Sequence, residues 1–151
     1  MITVGIDPGA KGAYAVMDDG VLLLVEPWDR KKFIAAMEVA KQTMDERQVA
    51  VRVAVEKVGA MHGQGVTSMF TFGKSAGFIE GVLETLGLPY QLIPPQTWKK
   101  EFSLTHDKQQ SIEVCQRLFP GVSLLPTERC KKPSDGMAEA AILAEYARRR
   151  L

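Results

Sequence analysis

The 151-residue sequence contains only two cysteines and two histidines. The cysteines, Cys115 and Cys130, are fifteen residues apart. Two thiols cannot complete a zinc site alone, and one disulfide would be a thin framework for a secreted domain. We therefore expect both cysteines to be reduced in an intracellular, cytoplasmic protein. We also expect neither histidine to bind a metal, because His62 has no histidine partner nearby and His106 belongs to a predicted turn.

The sequence also lacks a long apolar run and a strong charge of one sign. No apolar segment approaches the roughly 20 residues that a membrane-spanning helix needs. The first residues lead directly into a patterned strand, so we expect no signal peptide and no membrane partner. The net charge is only +1. Any prediction of nucleic-acid binding must therefore rest on where the charges lie.

The sequence does contain a regular order of strand and helix patterns. Strands are predicted over residues 2–7, 12–17, 21–25, 49–58 and 89–93, with the Asp18-Asp19-Gly20 turn joining the second and third. Helices are predicted over residues 29–47, 68–86, 107–118 and 134–149, while Pro94-Pro95 ends the last strand. Three hairpin strands followed by alternating helices and strands resemble an RNase H-like α/β domain with a mixed five-stranded sheet. No linker interrupts this order, which predicts one domain over residues 1–151.

Two acidic residues occur where the predicted strands otherwise carry apolar residues. Asp7 ends the first strand on the face of Gly5, and Glu56 lies near the end of the fourth in phase with Ala54. Burying an unpaired carboxylate costs several kcal/mol or forces it to be neutral, and a nearby cation removes that cost. Two simpler interpretations remain open: Asp7 could be a turn residue, and Glu56 could pair with Lys57 at a sheet edge.

The last predicted helix carries two more acids. At 100° per residue, Asp135, Glu139, Ile142 and Tyr146 fall within roughly 60° of one another. The two acids therefore share the side that should face the sheet. Carboxylates four residues apart repel on an ordinary helix, so an inward position favours metal binding. The alternative is a solvated first turn, where the helix dipole favours the ionised form of Asp135.

Carboxylates from three separate elements, without a suitable histidine, are typical of Mg²⁺ ligands. Two such ions about 4 Å apart can activate a water and stabilise the leaving oxygen of a phosphodiester. We therefore predict two Mg²⁺ ions in a shared site, for which Mn²⁺ could substitute. The predicted ligands are Asp7, Glu56, Asp135 and Glu139.

Three segments, in this order, resemble RuvC-type Holliday junction resolvases: residues 4–9, 53–56 and 134–140. Asp107-Lys108 before a helix is similar to the lysine position of that family. The resemblance implies symmetric, Mg²⁺-dependent nicking of four-way DNA junctions by a homodimer, through two-metal hydrolysis, in DNA recombination and repair. It also implies that the four acids are catalytic metal ligands and that Lys108 is a catalytic-site phosphate contact.

The last segment departs from the bacterial pattern of two aspartates three residues apart. Here the spacing is four and the second acid is Glu139, which resembles the phage, viral and organellar branches. Three alternatives stay open. The first is a catalytically inactive DNA-binding module, although the presence of all four acids argues against it. An RNase H-like enzyme could act on structured RNA or on an RNA–DNA hybrid. Residues 5–12 also resemble the phosphate-binding hairpin of sugar-kinase and actin domains, although those proteins need two such domains.

DNA contacts require basic residues near the acids. The candidate phosphate contacts are Lys99, Lys100, Lys108, Arg129, Lys131 and Lys132. Each could instead be an ordinary solvated surface charge.

Phe70 is a candidate wedge that opens the junction centre, with Lys74 beside it on the DNA face. Phe70 could instead pack in the core at the start of its helix. Gly73, Gly77 and Gly81 recur every four residues on the same helix, which indicates either close packing on the sheet or a dimer contact.

Overall fold

The computed structural model describes residues 1–59, 63 and 65–151. The strands of this part of the chain are β1 (Ile2–Asp7), β2 (Ala13–Asp18), β3 (Val21–Pro27), β4 (Val51–Glu56) and β5 (Tyr90–Ile93). The helices are α1 (Arg30–Arg47), α2 (Val66–Thr85), α3 (Pro95–Glu101), α4 (Lys108–Leu118) and α5 (Asp135–Arg150). The predicted α/β order with a five-stranded sheet is confirmed.

The sheet is mixed, with strand order β3-β2-β1-β4-β5. β1, β2 and β3 pair antiparallel, whereas β4 lies parallel to both β1 and β5. The β2–β3 hairpin turns at Asp19 and Gly20, whose φ values of 47° and 86° suit a two-residue turn. Because β1 and β4 are parallel and Ile6 is opposite Val55, their carboxyl ends reach the same edge of the sheet.

Helices cover both faces of the sheet, and the alternation in β1 decides which residue meets which helix. Ile2, Val4 and Ile6 are buried with residues of α1 and α2. Gly5 faces the other way, towards α5. A Cβ at Gly5 would lie 2.1 Å from the carbonyl oxygen of Ala140, so only glycine lets the helix backbone approach β1 this closely. This approach buries α5 along most of its length.

The starts of three helices follow from side chains that accept hydrogen bonds from backbone N–H groups. The Asp29 side chain accepts from the amide of Lys32 at 2.9 Å before α1. Asp107 caps α4 and Ser134 caps α5 in the same way. Such caps satisfy donors that have no partner inside the helix. The predicted starts of these three helices are therefore confirmed.

Helix α3 is absent from the sequence prediction, which placed only a strand end at Pro94-Pro95. The structure begins a helix at Pro95, and this position tolerates proline because its missing N–H would have no partner within the helix. Trp98 anchors the short helix by full burial in the core beneath α5. Elsewhere the differences concern boundaries: β4 is shorter than predicted, and α2 begins two residues earlier.

One face of α2 is open to solvent. Phe70 is 68% exposed, so its interpretation as a core residue is wrong. A Cβ placed at Gly73, Gly77 or Gly81 would meet nothing within 4 Å, so these glycines do not pack on the sheet. The prediction of a dimer contact remains untested.

Cys115 and Cys130 are both free thiols. Among the described residues, no helix has the length and apolar character needed to cross a membrane. His62, which was expected not to bind metal, lies outside the described residues.

Candidate metal centre

Asp7 stands at the carboxyl end of β1, where the strand leaves the sheet. Its Oδ1 accepts a hydrogen bond of 3.0 Å from the backbone N–H of Gly9. Burial raises the pKa of Asp7 to about 6, although the Gly9 bond opposes this rise. The negative charges of Glu139 and Asp135 contribute to this rise. Asp7 is therefore a desolvated carboxylate within the electrostatic reach of two other acids.

Glu56 ends the neighbouring strand β4 and is also half-buried. The indole Nε1–H of Trp98 donates a hydrogen bond of 3.0 Å to its Oε2. Burial raises the pKa of Glu56 to about 7, and the charges of Asp7 and Glu139 contribute to the rise. Parallel strand ends thus bring two coupled acids to one edge of the sheet.

The start of α5 brings the remaining two acids to this edge. A Cβ at Gly136 would lie 2.2 Å from the carbonyl oxygen of Lys11, so glycine allows the helix to begin against the β1–β2 turn. Asp135 and Glu139 lie in the first and second turns of this helix. The hydroxyl of Ser111 on α4 donates to Glu139 at 3.2 Å. The four predicted acids thus lie around one end of the sheet.

Two of the predicted basic residues bind these acids directly. Lys99 Nζ lies 3.1 Å from Glu139 Oε1, and its side chain is only 20% exposed. Lys108 Nζ lies 2.8 Å from Asp135 Oδ2, although its side chain is 74% exposed. The hydrogen bond to Asp135 raises the pKa of Lys108, which remains a cation. Four carboxylates therefore face two ammonium groups, which leaves an excess of negative charge.

The other predicted DNA contacts lie on the surface. Lys74 approaches the ring of Phe70, with its Nζ 5.6 Å from the ring centroid. The remaining members of the set are solvent-exposed side chains on α3 or in the loop before α5: Lys100, Arg129, Lys131 and Lys132. Of the predicted basic residues, only Lys99 and Lys108 form ion pairs with the four acids in the described part of the chain.

The four acids fit Mg²⁺ by donor chemistry and charge, but they are not a preformed coordination sphere. Among the described residues, no three carboxylate, thiol or imidazole groups stand close enough together to hold one ion. Each acid is instead engaged by another group: the Gly9 amide, the Trp98 indole or one of two lysines. Oxygen donors with uncompensated negative charge are what Mg²⁺ requires. Binding would therefore require some of these side chains to exchange partners.

Sequence reasoning missed two residues that contact the acids. Trp98 is 42 positions from Glu56, and no local pattern joins such distant residues. The proline pair before Trp98 was nevertheless a usable signal for the helix that carries it. Ser111 lies three residues after Lys108, which places both on one side of α4. That spacing could have indicated a second polar contact at the same site.

The sheet order and the final helix that covers β1 give this protein an RNase H-like fold. Its structural neighbours include RuvC from Thermus thermophilus in complex with a Holliday junction substrate. That match has a TM-score of 0.61 and 18% identity, and covers 99% of this chain and 96% of the RuvC chain.

A second Thermus thermophilus RuvC structure matches with a TM-score of 0.53 and 16% identity, covering 95% of this chain and 91% of that chain. At these identities the likeness establishes the RuvC-type fold. No protein-family profile and no curated protein matches the sequence. The resemblance to the phage, viral or organellar branches of that family stays a prediction.

Proposed function

We propose that this chain is a Mg²⁺-dependent endodeoxyribonuclease that resolves four-way DNA junctions by symmetric nicking. The observation that carries the proposal is the set of four acids at one end of the sheet, two of them desolvated with raised pKa values. The fold supports the same substrate class, because the RuvC neighbour was solved with a Holliday junction substrate.

The proposed roles follow from the chemistry of each side chain. Asp7, Glu56, Asp135 and Glu139 would hold two Mg²⁺ ions through their carboxylate oxygens. Bound Mg²⁺ supplies Lewis-acid stabilisation of the phosphodiester and lowers the pKa of a coordinated water. Lys108, which is exposed and paired with Asp135, can turn to a DNA phosphate when that acid is engaged elsewhere. The partial burial of Asp7 would limit competition from bulk water for its oxygens.

A DNA-contact surface around this site would combine phosphate and base contacts. The proposed phosphate contacts are Lys99, Lys100, Arg129, Lys131 and Lys132. Phe70 has the exposure that a wedge between bases requires, and Lys74 lies beside it. An apolar side chain can unstack a base step, as opening the centre of a junction requires.

Symmetric nicking requires two active sites, and we propose a homodimer. A four-way junction has near two-fold symmetry, which a two-fold dimer would match. The open stripe of Gly73, Gly77 and Gly81 supports this arrangement because small residues allow two helices to approach closely. Light scattering coupled to size exclusion should give twice the mass of the chain, and Gly77→Arg should reduce it.

The central experiment compares purified protein on a synthetic four-way junction, linear duplex DNA, structured RNA and an RNA–DNA hybrid. Paired nicks in the junction are expected with Mg²⁺ or Mn²⁺ and not with EDTA. Asp7→Asn, purified in parallel, should bind the junction without cutting it and so exclude a contaminating nuclease. Preferential cleavage of RNA or of the hybrid would replace the resolvase proposal with a ribonuclease.

A further inference from the structure

A groove beside the four acids has no part in the proposed metal site. It lies between the turn after β1, the start of α1 and the first half of α2, and its volume is about 610 Å³. This volume lies within the range of small-molecule sites. Its walls include Gly9, Trp28, Arg30, Thr71, Phe72 and Ser75. The groove therefore combines a cation, hydroxyl groups and two aromatic rings.

Gly9 is the wall that joins this groove to the acids. Its N–H donates to Asp7 Oδ1. A Cβ at Gly9 would lie 3.2 Å from that same oxygen and 3.8 Å from the ring of Phe72. The groove thus begins where the Asp7 carboxylate ends. A DNA strand with one phosphate at the acids would enter it within a short distance.

Arg30 occupies a position that helix stability does not explain. It is the first residue of α1, where the helix dipole disfavours a cation. Lys32 in the same turn pairs with Glu26 at 3.2 Å. In the described part of the chain Arg30 contacts no carboxylate, and its guanidinium lies 4.6 Å from the ring centroid of Phe78. Within the described residues, Arg30 is therefore a groove cation without an acidic partner.

The opposite wall carries groups that suit the rest of a nucleotide. Thr71 and Ser75 are four residues apart, so their hydroxyls lie on the same side of α2. Arginine and hydroxyl side chains are common contacts of phosphate and sugar oxygens. The rings of Trp28 and Phe72 supply apolar surface of the kind that packs against sugars and bases.

We propose that this groove binds one nucleotide of the cleaved strand, next to the scissile phosphate. Its phosphate contacts Arg30 and the α2 hydroxyls, and its sugar or base packs against Trp28 and Phe72. This subsite rests on the proposed function, because its ligand is the DNA strand that the acids would cut. Its effect is to hold the strand in register with the acids.

The test measures junction binding in an Asp7→Asn parent, which does not cut. Arg30→Gln in this parent should weaken binding by about tenfold, the loss expected for one charge-assisted hydrogen bond. The matched control is Lys31→Gln, which removes the same charge from the same helical turn outside the groove. Thermal unfolding should change little for Arg30→Gln, because removal of an unfavourable cation at this helix end offsets the loss of its contact with the Phe78 ring.

Single methylphosphonate substitutions on either side of the scissile position locate the contact. At one position the neutral linkage should weaken binding by the parent by about tenfold and leave Arg30→Gln unaffected. Arg30→Lys restores the charge and should restore sensitivity to that linkage.

The subsite would be overturned if the methylphosphonate weakened junction binding equally in the parent and in Arg30→Gln. Equal junction affinity of the parent and Arg30→Gln would also overturn it. Equal losses in Arg30→Gln and Lys31→Gln would also overturn it. A parent that does not prefer the junction to duplex DNA would instead contradict the proposed function. An Arg30-dependent penalty on duplex or single-stranded DNA would still support the subsite.

Discussion

Helix α5 carries carboxylates near both ends, and the two ends neutralise them differently. At the carboxyl end Glu145 is 5% exposed and receives hydrogen bonds of 2.7 Å from both Arg148 and Arg149. Burial alone would raise the pKa of Glu145, but the two guanidinium groups hold it below its ordinary value. This acid has the matched partners that a structural ion pair needs.

At the amino end the acids outnumber their partners. Asp135 and Glu139 meet Asp7 and Glu56, whose pKa values burial raises to about 6 and about 7. Only two lysines offset these four carboxylates in the described residues. Such crowding opposes folding unless a cation is bound. The two ends therefore differ in charge balance. Two arginines neutralise the structural acid Glu145, whereas the four candidate catalytic acids have only two lysines as partners within the described residues.

The largest expected effect is the loss of cleavage when an acid at the amino end is neutralised. Asp7→Asn or Glu56→Gln should slow single-turnover junction cleavage by at least about a thousandfold, or about 4 kcal/mol of transition-state stabilisation. Glu145→Gln at the other end should cut at the wild-type rate. Nicking at the wild-type rate by Asp7→Asn or Glu56→Gln would show that the acids at the amino end of α5 are no more catalytic than Glu145.

A smaller effect is expected from the indole that orients Glu56. Trp98→Phe keeps an aromatic ring in the core but removes the N–H that donates to Glu56 Oε2. Lost support of a ligand typically weakens metal binding by about 10- to 100-fold. Calorimetric titration with Mn²⁺ should show this weakening, whereas the control Trp28→Phe should bind as wild type. Unchanged affinity in Trp98→Phe would make the indole purely a packing residue.

The excess of acids at the amino end of α5 should also make the free energy of unfolding depend on pH. The folded-state pKa values of Asp7 and Glu56 lie above their ordinary values of 3.8 and 4.5, so the folded state holds protons more tightly than the unfolded state. Their contribution is fully present below about pH 4 and is lost as pH rises to about 7. Urea unfolding in EDTA should show that the free energy of unfolding falls as pH rises from about 4 to about 7. The fall should be smaller in Glu56→Gln.

Mg²⁺ should offset this loss, because the ionised acids are the form that binds it. The melting temperature should rise with Mg²⁺ at pH 8 and change little at pH 5. Each kcal/mol that Mg²⁺ adds to the free energy of unfolding should raise the melting temperature by about 2–4 °C. A Mg²⁺ effect of equal size at both pH values, or in Asp7→Asn, would place the ion elsewhere.

The smallest effect is expected at the carboxyl end of α5, where two arginines neutralise Glu145. Glu145→Gln should lower the free energy of unfolding by about 1–2 kcal/mol, because a charged acceptor is lost while both arginines remain partly solvated. Chemical denaturation measures the change. Asp135→Asn should cost less than this, or stabilise the metal-free protein. A larger cost for Asp135→Asn would mean that its bond to Lys108 contributes to stability as the arginine pairs do.

Several features of the site were predictable from residues close together in the sequence. The two-residue period of β1 placed Gly5 towards one core and Ile2, Val4 and Ile6 towards the other, as the structure has them. The caps of α1, α4 and α5 were readable because capping depends on a side chain and amides within three residues. Lys108 was expected near the acids and lies against Asp135.

Other features depended on contacts between distant segments. Phe70 had two interpretations because an apolar residue at a helix start can face the core or solvent, and only packing decides which. The glycine stripe was ambiguous for the same reason. Lys99 was predicted as one of six similar surface cations, yet the fold turns it onto Glu139. Its sequence neighbours give no signal of that direction.

The sequence by itself determined the elements, their order and the phase of each acid along its strand or helix, because these follow from short-range periodicity and turn chemistry. Tertiary structure alone decided the environment of those acids. Parallel pairing of β1 with β4 and the close approach of α5 at Gly5 and Gly136 bring charges together across more than a hundred residues. Burial and mutual repulsion, which shift pKa values and create a demand for cations, exist only once those segments meet.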